Sequence, residues 1–280
     1  MGNVLYIDKP KGMTSFDVCY RLRKVLGTKK IGHTGTLDPN ATGVMIVLFD
    51  KATKANQFLT SDNKEYECRV LFGIETDTLD TDGMIVLKQE YKMPSKDDIS
   101  SILNGFLGES FQEVPKTSAV SVDGKRLYQY QREKIEVKLP VRKINIYEIE
   151  LLDLQEDGFS FRAKVSSGTY IRSLVRDICH KLGLIGTVSE LRRTKVDQAD
   201  LSMCDALEEI EKGNYHTHDL IDLLAQRYET IEYDPVQDIY NGKKIKIDSL
   251  AEKVLIIKDD KALAIYEKDG DLYRSARGLW

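Results

Sequence analysis

The chain has 280 residues, enough for one large domain or for a large and a small one. Hydrophobic residues make up 41% and charged residues 31%, the balance of a soluble globular protein, and no run of about 18 apolar residues suggests a membrane span. The net charge of −4 argues against simple non-specific binding of nucleic acid, yet it is uneven: Lys and Arg outnumber Asp and Glu by 30 to 26 in residues 1–196 and fall to 11 against 19 in residues 197–280.

The segment from Met1 has no basic stretch followed by an apolar core, so no secretory signal is expected, and Val4 to Asp8 predicts a short strand. Thr14 offers an N-cap with Asp17 in the first turn; Phe16, Cys19, Tyr20, Leu22, Val25 and Leu26 follow at helical spacing and Gly27 ends the helix. Val44 to Phe49 is a continuous apolar run that predicts a buried strand, and Lys51 to Leu59 reads as a helix. Tyr66, Cys68, Val70 and Phe72 alternate along a strand, and Thr76 to Gly83 is an acidic loop. Ser95 caps a helix that runs to Leu103, and Asp123-Gly124 marks a two-residue hairpin between Val120 and Leu127. Lys143 to Leu152 and Phe159 to Val165 flank the turn Glu156-Asp157-Gly158 as a second hairpin. Tyr170 to Leu182 is an amphipathic helix with Ile171, Leu174, Val175, Ile178 and Leu182 on one side, and Leu201 to Ile210 is a further helix. From Ile231 onward the runs Ile245 to Ile247, Val254 to Ile257 and Leu263 to Tyr266 alternate with Gly and Asp turns, the texture of a small β-rich domain. Frequent hairpins and irregularly placed helices favour an α+β fold, a mixed and largely antiparallel sheet with flanking helices, with domains at 1–230 and 231–280.

The four cysteines, Cys19, Cys68, Cys179 and Cys204, are scattered and read as reduced, mostly buried thiols of a cytoplasmic protein. His216 and His218 form an H-x-H pair, but no further ligand type stands near at metal-binding spacing, so no metal is expected. The sharpest feature is the loop Gly32 to Gly43. Its glycines allow a tight turn and close approach of a ligand, Pro39 restricts Asp38 toward an extended backbone, and a buried strand follows as support. On composition alone it is either a structural turn capped by Asp38 or a frame for a reactive carboxylate; no phosphate-binding G-x-x-x-x-G-K-[ST] is present.

Gly32-His33-Thr34-Gly35-Thr36-Leu37-Asp38-Pro39, with Ala41-Thr42-Gly43-Val44 after it, resembles the active-site motif of the TruB family of tRNA pseudouridine synthases. Asp8-Lys9-Pro10-Lys11-Gly12-Met13-Thr14-Ser15, Lys64-Glu65-Tyr66, Gly73-Ile74-Glu75-Thr76-Asp77-Thr78, Ser167-Gly168-Thr169-Tyr170-Ile171-Arg172-Ser173-Leu174 and Leu191-Arg192-Arg193-Thr194 resemble its other motifs, in order, over about residues 3 to 195. The resemblance implies an enzyme that detaches a uracil from its ribose, rotates it and rejoins it through carbon, at the T-loop uridine of tRNA position 55. It implies Asp38 as the nucleophile, attacking either ribose C1′ or base C6, a choice the sequence leaves open. It places Arg172 beside Asp38 to orient it by paired hydrogen bonds and Tyr66 against the flipped uracil, where its hydroxyl assists proton transfer. His33, Lys9, Tyr170 and Leu191 complete the expected substrate-binding set: His33 near the extruded base, Lys9 beneath the loop, Leu191 as an apolar wall.

The resemblance implies no cofactor, no metal and no membrane. The implied partner is the T-arm of tRNA, bound by a monomer. Cations that RNA binding needs stand at Arg21, Arg23, Lys24, Lys29 and Lys30 and around the Asp123-Gly124 hairpin at Lys116, Lys125, Arg126, Arg132 and Lys134. In the family that hairpin region is an arm that grips RNA, and its basic character points to the form that works without guide RNA. Pro115-Lys116 departs from the family's two prolines, and Val196 to Ala199 lack the glycine and aromatic that follow the last motif. Residues 231–280 resemble a short PUA-like RNA-binding domain. A rival reading is an RNA-binding or RNA-folding protein; the intact set Asp38, Tyr66 and Arg172 favours the enzyme.

Overall fold

A computed structural model of the chain describes residues 3–59 and 63–280, which divide into two units. The first holds the described residues of 1–39, 44–61 and 201–280, the second those of 40–43 and 62–200. Residues 1, 2 and 60–62, including the start of the segment examined for a signal, lie outside the described residues.

The first unit opens with β1 (Val4–Lys9), in which Val4, Leu5 and Ile7 are fully buried. Helix α1 (Ser15–Leu26) starts at a capping box: the Thr14 hydroxyl accepts from the Asp17 backbone N–H at 3.1 Å while the Asp17 carboxylate accepts from the Thr14 N–H at 2.9 Å. Val18, Cys19 and Leu22 face inward, whereas Phe16 and Tyr20, read as part of the same apolar stripe, are 62% and 63% exposed. Strand β2 (Ile31–His33) pairs antiparallel with β3 (Thr42–Phe49), and β3 is buried from Gly43 to Phe49. The helix expected from Lys51 is a 3-10 helix, Asp50–Phe58: Asp50 enters it at φ 52 and no side chain caps its start.

The second unit runs β4 (Asn63–Phe72), β5 (Ile74–Thr76), β6 (Ile85–Lys88), α2 (Lys96–Asn104), β7 (Gly108–Glu113), β8 (Ser121–Val122), β9 (Lys125–Arg126), α3 (Leu127–Arg132), β10 (Val141–Gln155), β11 (Gly158–Ser166), α4 (Ile171–Lys181), β12 (Gly186–Val196) and β13 (Ala199–Asp200). Its main sheet has the order β12-β4-β11-β10-β7, each neighbouring pair antiparallel. Thr42 and Gly43, the first residues of β3, add to it in parallel beside Arg192 and Arg193. The core stacks Phe72 on Phe159 at 5.4 Å and Phe159 on Phe161 at 5.9 Å, and α4 packs on β4 and β12 with Leu174, Val175 and Ile178 buried. The hairpin at Asp123-Gly124 forms with both residues at positive φ, 49 and 79. The expected acidic loop, Thr76 to Gly83, forms the connection of a second small hairpin, β5–β6, and β12 is a strand the sequence did not announce.

The chain then returns to the first unit. Leu201 to Ile210, read as one helix, is a 3-10 turn (Leu201–Met203), then β14 (Asp205–Ala206), then α5 (Leu207–Glu211). Parallel pairing of Ile7 with Asp205 and Asp8 with Ala206 draws the middle of the segment into a sheet and breaks the helix. After α6 (Leu220–Ala225), a four-stranded sheet of β15 (Glu229–Glu232), β16 (Lys253–Lys258), β17 (Lys261–Asp269) and β18 (Leu272–Gly278) carries its own core, with Ile239 of α7 (Val236–Tyr240), Val254, Ile256, Leu263, Tyr266 and Tyr273 buried. Ile245 to Ile247 is not a strand, although Ile245 forms a single bridge to Tyr273. The architecture is α+β, with mixed and largely antiparallel sheets. Among the described residues no helix is long and apolar enough to cross a membrane.

Candidate active site

Asp38, Lys9 and His33 lie in the first unit, while Tyr66, Tyr170, Arg172 and Leu191 lie in the second. In the first unit the chain on both sides of Asp38 is tied down. On one side the Ser15 hydroxyl accepts from the Leu37 N–H at 2.9 Å and donates to the Leu37 carbonyl at 3.1 Å. On the other, the Pro39 carbonyl accepts from the Gly12 N–H at 2.9 Å and from Lys9 Nζ at 3.2 Å. Lys9 is fully buried, and its ammonium also donates to the carbonyls of Pro10 at 2.8 Å and Met13 at 2.7 Å. Three carbonyl oxygens for three donor hydrogens offset the cost of burying the charge. Lys9 is therefore a brace under the loop, not a solvated surface lysine. Asp38 is half-buried between these anchors, and His33 is half-buried at the end of β2, paired with Val47.

In the second unit, β4 and β12 set Tyr66 opposite Arg193 and Cys68 opposite Leu191, so Tyr66 and Leu191 share a face of the sheet. Tyr66 and Arg193 are buried and Leu191 is half-buried. The Cys179 thiol of α4 is near enough to Cys68 to help push its thiol up, though burial is the larger cause, so α4 lies over that face. Arg172 is the second residue of α4 and is buried. Its guanidinium donates to the Thr78 carbonyl at 2.7 Å and to the Thr117 carbonyl at 2.9 Å, and Nε stands 3.8 Å from the Asp80 carboxylate. Asp80 is fixed in turn, since it accepts from the Thr78 hydroxyl at 2.6 Å and the Asp82 N–H at 3.1 Å. Tyr170 caps the helix by position, and its N–H donates to Gln112 Oε1 at 2.8 Å.

Gly43 shows why this loop admits no other residue at its end. Its φ is +104, and a Cβ there would sit 2.1 Å from the Arg193 carbonyl oxygen. Beside it Arg192 donates to the Thr42 hydroxyl at 3.1 Å.

Asp80, Thr117 and Gln112 were not found from the sequence. Two of them act through a backbone or amide oxygen that any residue type, or a bland one, supplies; only the Thr78-Leu79-Asp80 turn carried a readable signal. In the arm between β7 and β10 the expected cations divide. Lys125 pairs with Glu133 and Arg126 donates to the Ala119 carbonyl, whereas Lys116, Lys134 and Lys138 make no ion pair among the described residues. These three line a groove of about 520 Å³ with Tyr130 and Gln131. His216 and His218 do not converge: His216 Nδ1 is 3.0 Å from Asp205, and the His218 ring stacks on Tyr6 at 4.0 Å.

Residues 23–171 match the TruB family pseudouridylate synthase N-terminal domain, and residues 172–229 the tRNA pseudouridylate synthase B C-terminal domain. The chain is 38% identical to the tRNA pseudouridine synthase B of Lactobacillus acidophilus over 98% of its own length and 97% of that protein's. It is 38% identical to the synthase of the same name from Aquifex aeolicus over the whole of both chains, and 41% identical to that of Bacillus cytotoxicus over 95% and 92%. A chain of a solved Cbf5-Nop10-Gar1 complex superposes with a TM-score of 0.73 at 24% identity, covering 99% of this chain and 84% of that one, a likeness of fold.

Proposed function

The chain belongs to the TruB family of pseudouridylate synthases, and from that membership we infer that it isomerises uridine in tRNA to pseudouridine. We propose the T-loop uridine at position 55 as the target and Asp38 as the nucleophile. The observation that carries the assignment to Asp38 is its mounting. A half-buried carboxylate stands between two anchored carbonyls, and a fully buried lysine is spent on holding one of them. A structural cap needs no such brace, whereas a nucleophile gains from a fixed position.

The reaction balances within the substrate. The bond from N1 to C1′ breaks, one from C5 to C1′ forms, C5 loses a proton and N1 gains one. No electrons enter or leave, so what the protein supplies is base extrusion, a nucleophile, a proton path and exclusion of water. Asp38 attacks ribose C1′ or base C6 and holds the fragment covalently while the ring turns. Tyr66 stacks on the uracil and its hydroxyl assists the proton transfer. Arg172 is the residue that orients the carboxylate, and Asp80 acts through it as a positioning residue, a role supported by their 3.8 Å approach. Leu191 and Tyr170 wall the uracil site and His33 meets RNA beside the extruded base.

Lys116, Lys134 and Lys138 of the arm grip the phosphates of the T-arm, and the enzyme works as a monomer without guide RNA in the cytoplasm. The sheet of β15 to β18 is a small PUA-like domain, residues 231–280 beside a catalytic part at 1–230. The test is to incubate the protein with an unmodified tRNA transcript and map pseudouridine by nucleotide. A single product at position 55 is expected; modification confined to another position or to non-tRNA substrates overturns the assignment.

A further inference from the structure

In a chain of net charge −4, many cations should be neutralised by neighbouring carboxylates, and in the C-terminal sheet five of them are. Lys243, Lys244, Lys253, Lys258 and Arg274 each pair with an Asp or Glu of the same region. The outer face of α1 breaks the pattern. An open groove of about 720 Å³ there is lined by Tyr20, Arg21, Arg23, Lys24, Lys29 and Glu211. The one carboxylate in it, Glu211, is taken by Arg21 in a two-pronged pair at 2.6 and 2.5 Å. Arg23, Lys24 and Lys29 make no ion pair among the described residues.

The same face carries the two aromatic rings that depart from the inward stripe of the helix. Phe16, Tyr20 and Arg23 are spaced four and three residues apart, so they stand in one row. The Arg23 guanidinium lies 5.7 Å from the Phe16 ring centre and 5.4 Å from that of Tyr20. Two rings more than half exposed, with a planar cation against them, are a costly surface to leave in water. Unpaired ammonium groups beside flat π-faces are the combination that binds a nucleic-acid strand with at least one unstacked base: the cations follow the phosphates and the rings take the base.

We propose that the α1 face is a second RNA-binding surface, separate from the arm between β7 and β10, on which the substrate tRNA lays its phosphates over Lys24 and Lys29 and stacks an unpaired base on the row Phe16, Tyr20 and Arg23. The proposal rests on tRNA being the substrate and adds a contact that no catalytic motif supplies. An acidic protein partner would use the lysines but has no need of exposed rings in a row with an arginine.

Two double variants of the full chain separate the two parts. Lys24→Ala/Lys29→Ala should weaken binding of an unmodified tRNA transcript, and flatten the plot of log affinity against log salt by roughly one to two units, because two phosphate contacts no longer release counterions. Phe16→Ala/Tyr20→Ala should weaken it by roughly five- to ten-fold with the salt slope unchanged, as loss of a stacked base does. Lys24→Arg/Lys29→Arg should restore the slope. Dissociation constants within two-fold of wild type and an unaltered slope in both variants overturn the proposal. So does a loss of poly-L-glutamate binding equal to the loss for tRNA, which would make the face a docking site for acidic protein. Pseudouridine formation by the wild type judges the function separately from these binding constants.

Discussion

Lys9 is the residue whose chemistry is hardest to replace. Its ammonium meets three carbonyls, and one belongs to Pro39, next to Asp38. Arg172 repeats the device with a guanidinium on the carbonyls of Thr78 and Thr117. In both cases a buried cation fixes a stretch of backbone. Arg172→Ala should therefore lower kcat/KM by about 100-fold or more, the cost of a misplaced reacting group, measured well below the unfolding transition. Its unfolding free energy, read by denaturant titration, should fall by only about 1–3 kcal/mol, the cost of the orphaned acceptors. A variant that loses stability but keeps turnover would assign Arg172 to structure alone. Gly43 is the other sensitive residue. Gly43→Ala adds a Cβ 2.1 Å from the Arg193 carbonyl at a φ of +104, so it should destabilise by about 2–4 kcal/mol or shift the strand, read by urea unfolding. An unchanged midpoint and activity would contradict that packing.

At the scale of elements, α3 of the arm is tied to the β5–β6 hairpin through Gln131, which donates to the Asp77 carbonyl at 3.2 Å and to its carboxylate at 3.4 Å. Gln131→Ala should release α3, at about 1 kcal/mol, and speed hydrogen exchange there roughly five-fold. Exchange unchanged in α3 would show that packing of Leu127, not this contact, seats the arm. The same elements show what could be read from sequence. Helix α1 was legible because its boundaries are local: Thr14 with Asp17 at one end and Gly27 at the other. The hairpin at Asp123-Gly124 was legible for the same reason. Strand β12 was not. Its pairing with β4 slips between Val188 and Glu190 and again between Arg193 and Lys195, which erases the two-residue period, and it buries Arg193. The segment after Leu201 was misread because long-range pairing with β1 overrode helix propensity. Of the candidate site, Asp38, Tyr66, Arg172 and Leu191 are proposed from their motifs. The oxygens that hold Arg172 could not be named in that way, since Thr117 and Thr78 contribute backbone carbonyls that any sequence would offer.

For the whole molecule, the two units are built differently. The second is built on a largely antiparallel main sheet against which α4 packs, with two small hairpins; the first joins the strands around β1 to a four-stranded sheet with a separate core. The C-terminal ion pairs are exposed and stabilise little, and they neutralise part of that region's charge. Burial of the cysteines reports on the integrity of both units. Cys19 and Cys68 are buried in different units, and burial pushes Cys19 up to about 11 and Cys179 up to about 12, while Cys68 is raised as well. Thiolates react, thiols do not, so the native protein should be alkylated at Cys204 at most and the unfolded chain at all four positions. Mass spectrometry of the alkylated protein checks this, and ready labelling of Cys68 or Cys179 in the native state would mean that the second unit opens.

The role proposed for Asp38 is that of the nucleophile in uridine isomerisation. Its most direct test is Asp38→Asn assayed on an unmodified tRNA transcript beside the wild type, with tRNA affinity measured on the same preparations. The substitution keeps the size of the side chain and, with Ser15, Gly12 and Lys9 in place, the loop that carries it. No detectable pseudouridine is expected from the variant, with tRNA binding within a few-fold of wild type; measurable turnover by Asp38→Asn would remove Asp38 from the nucleophile role.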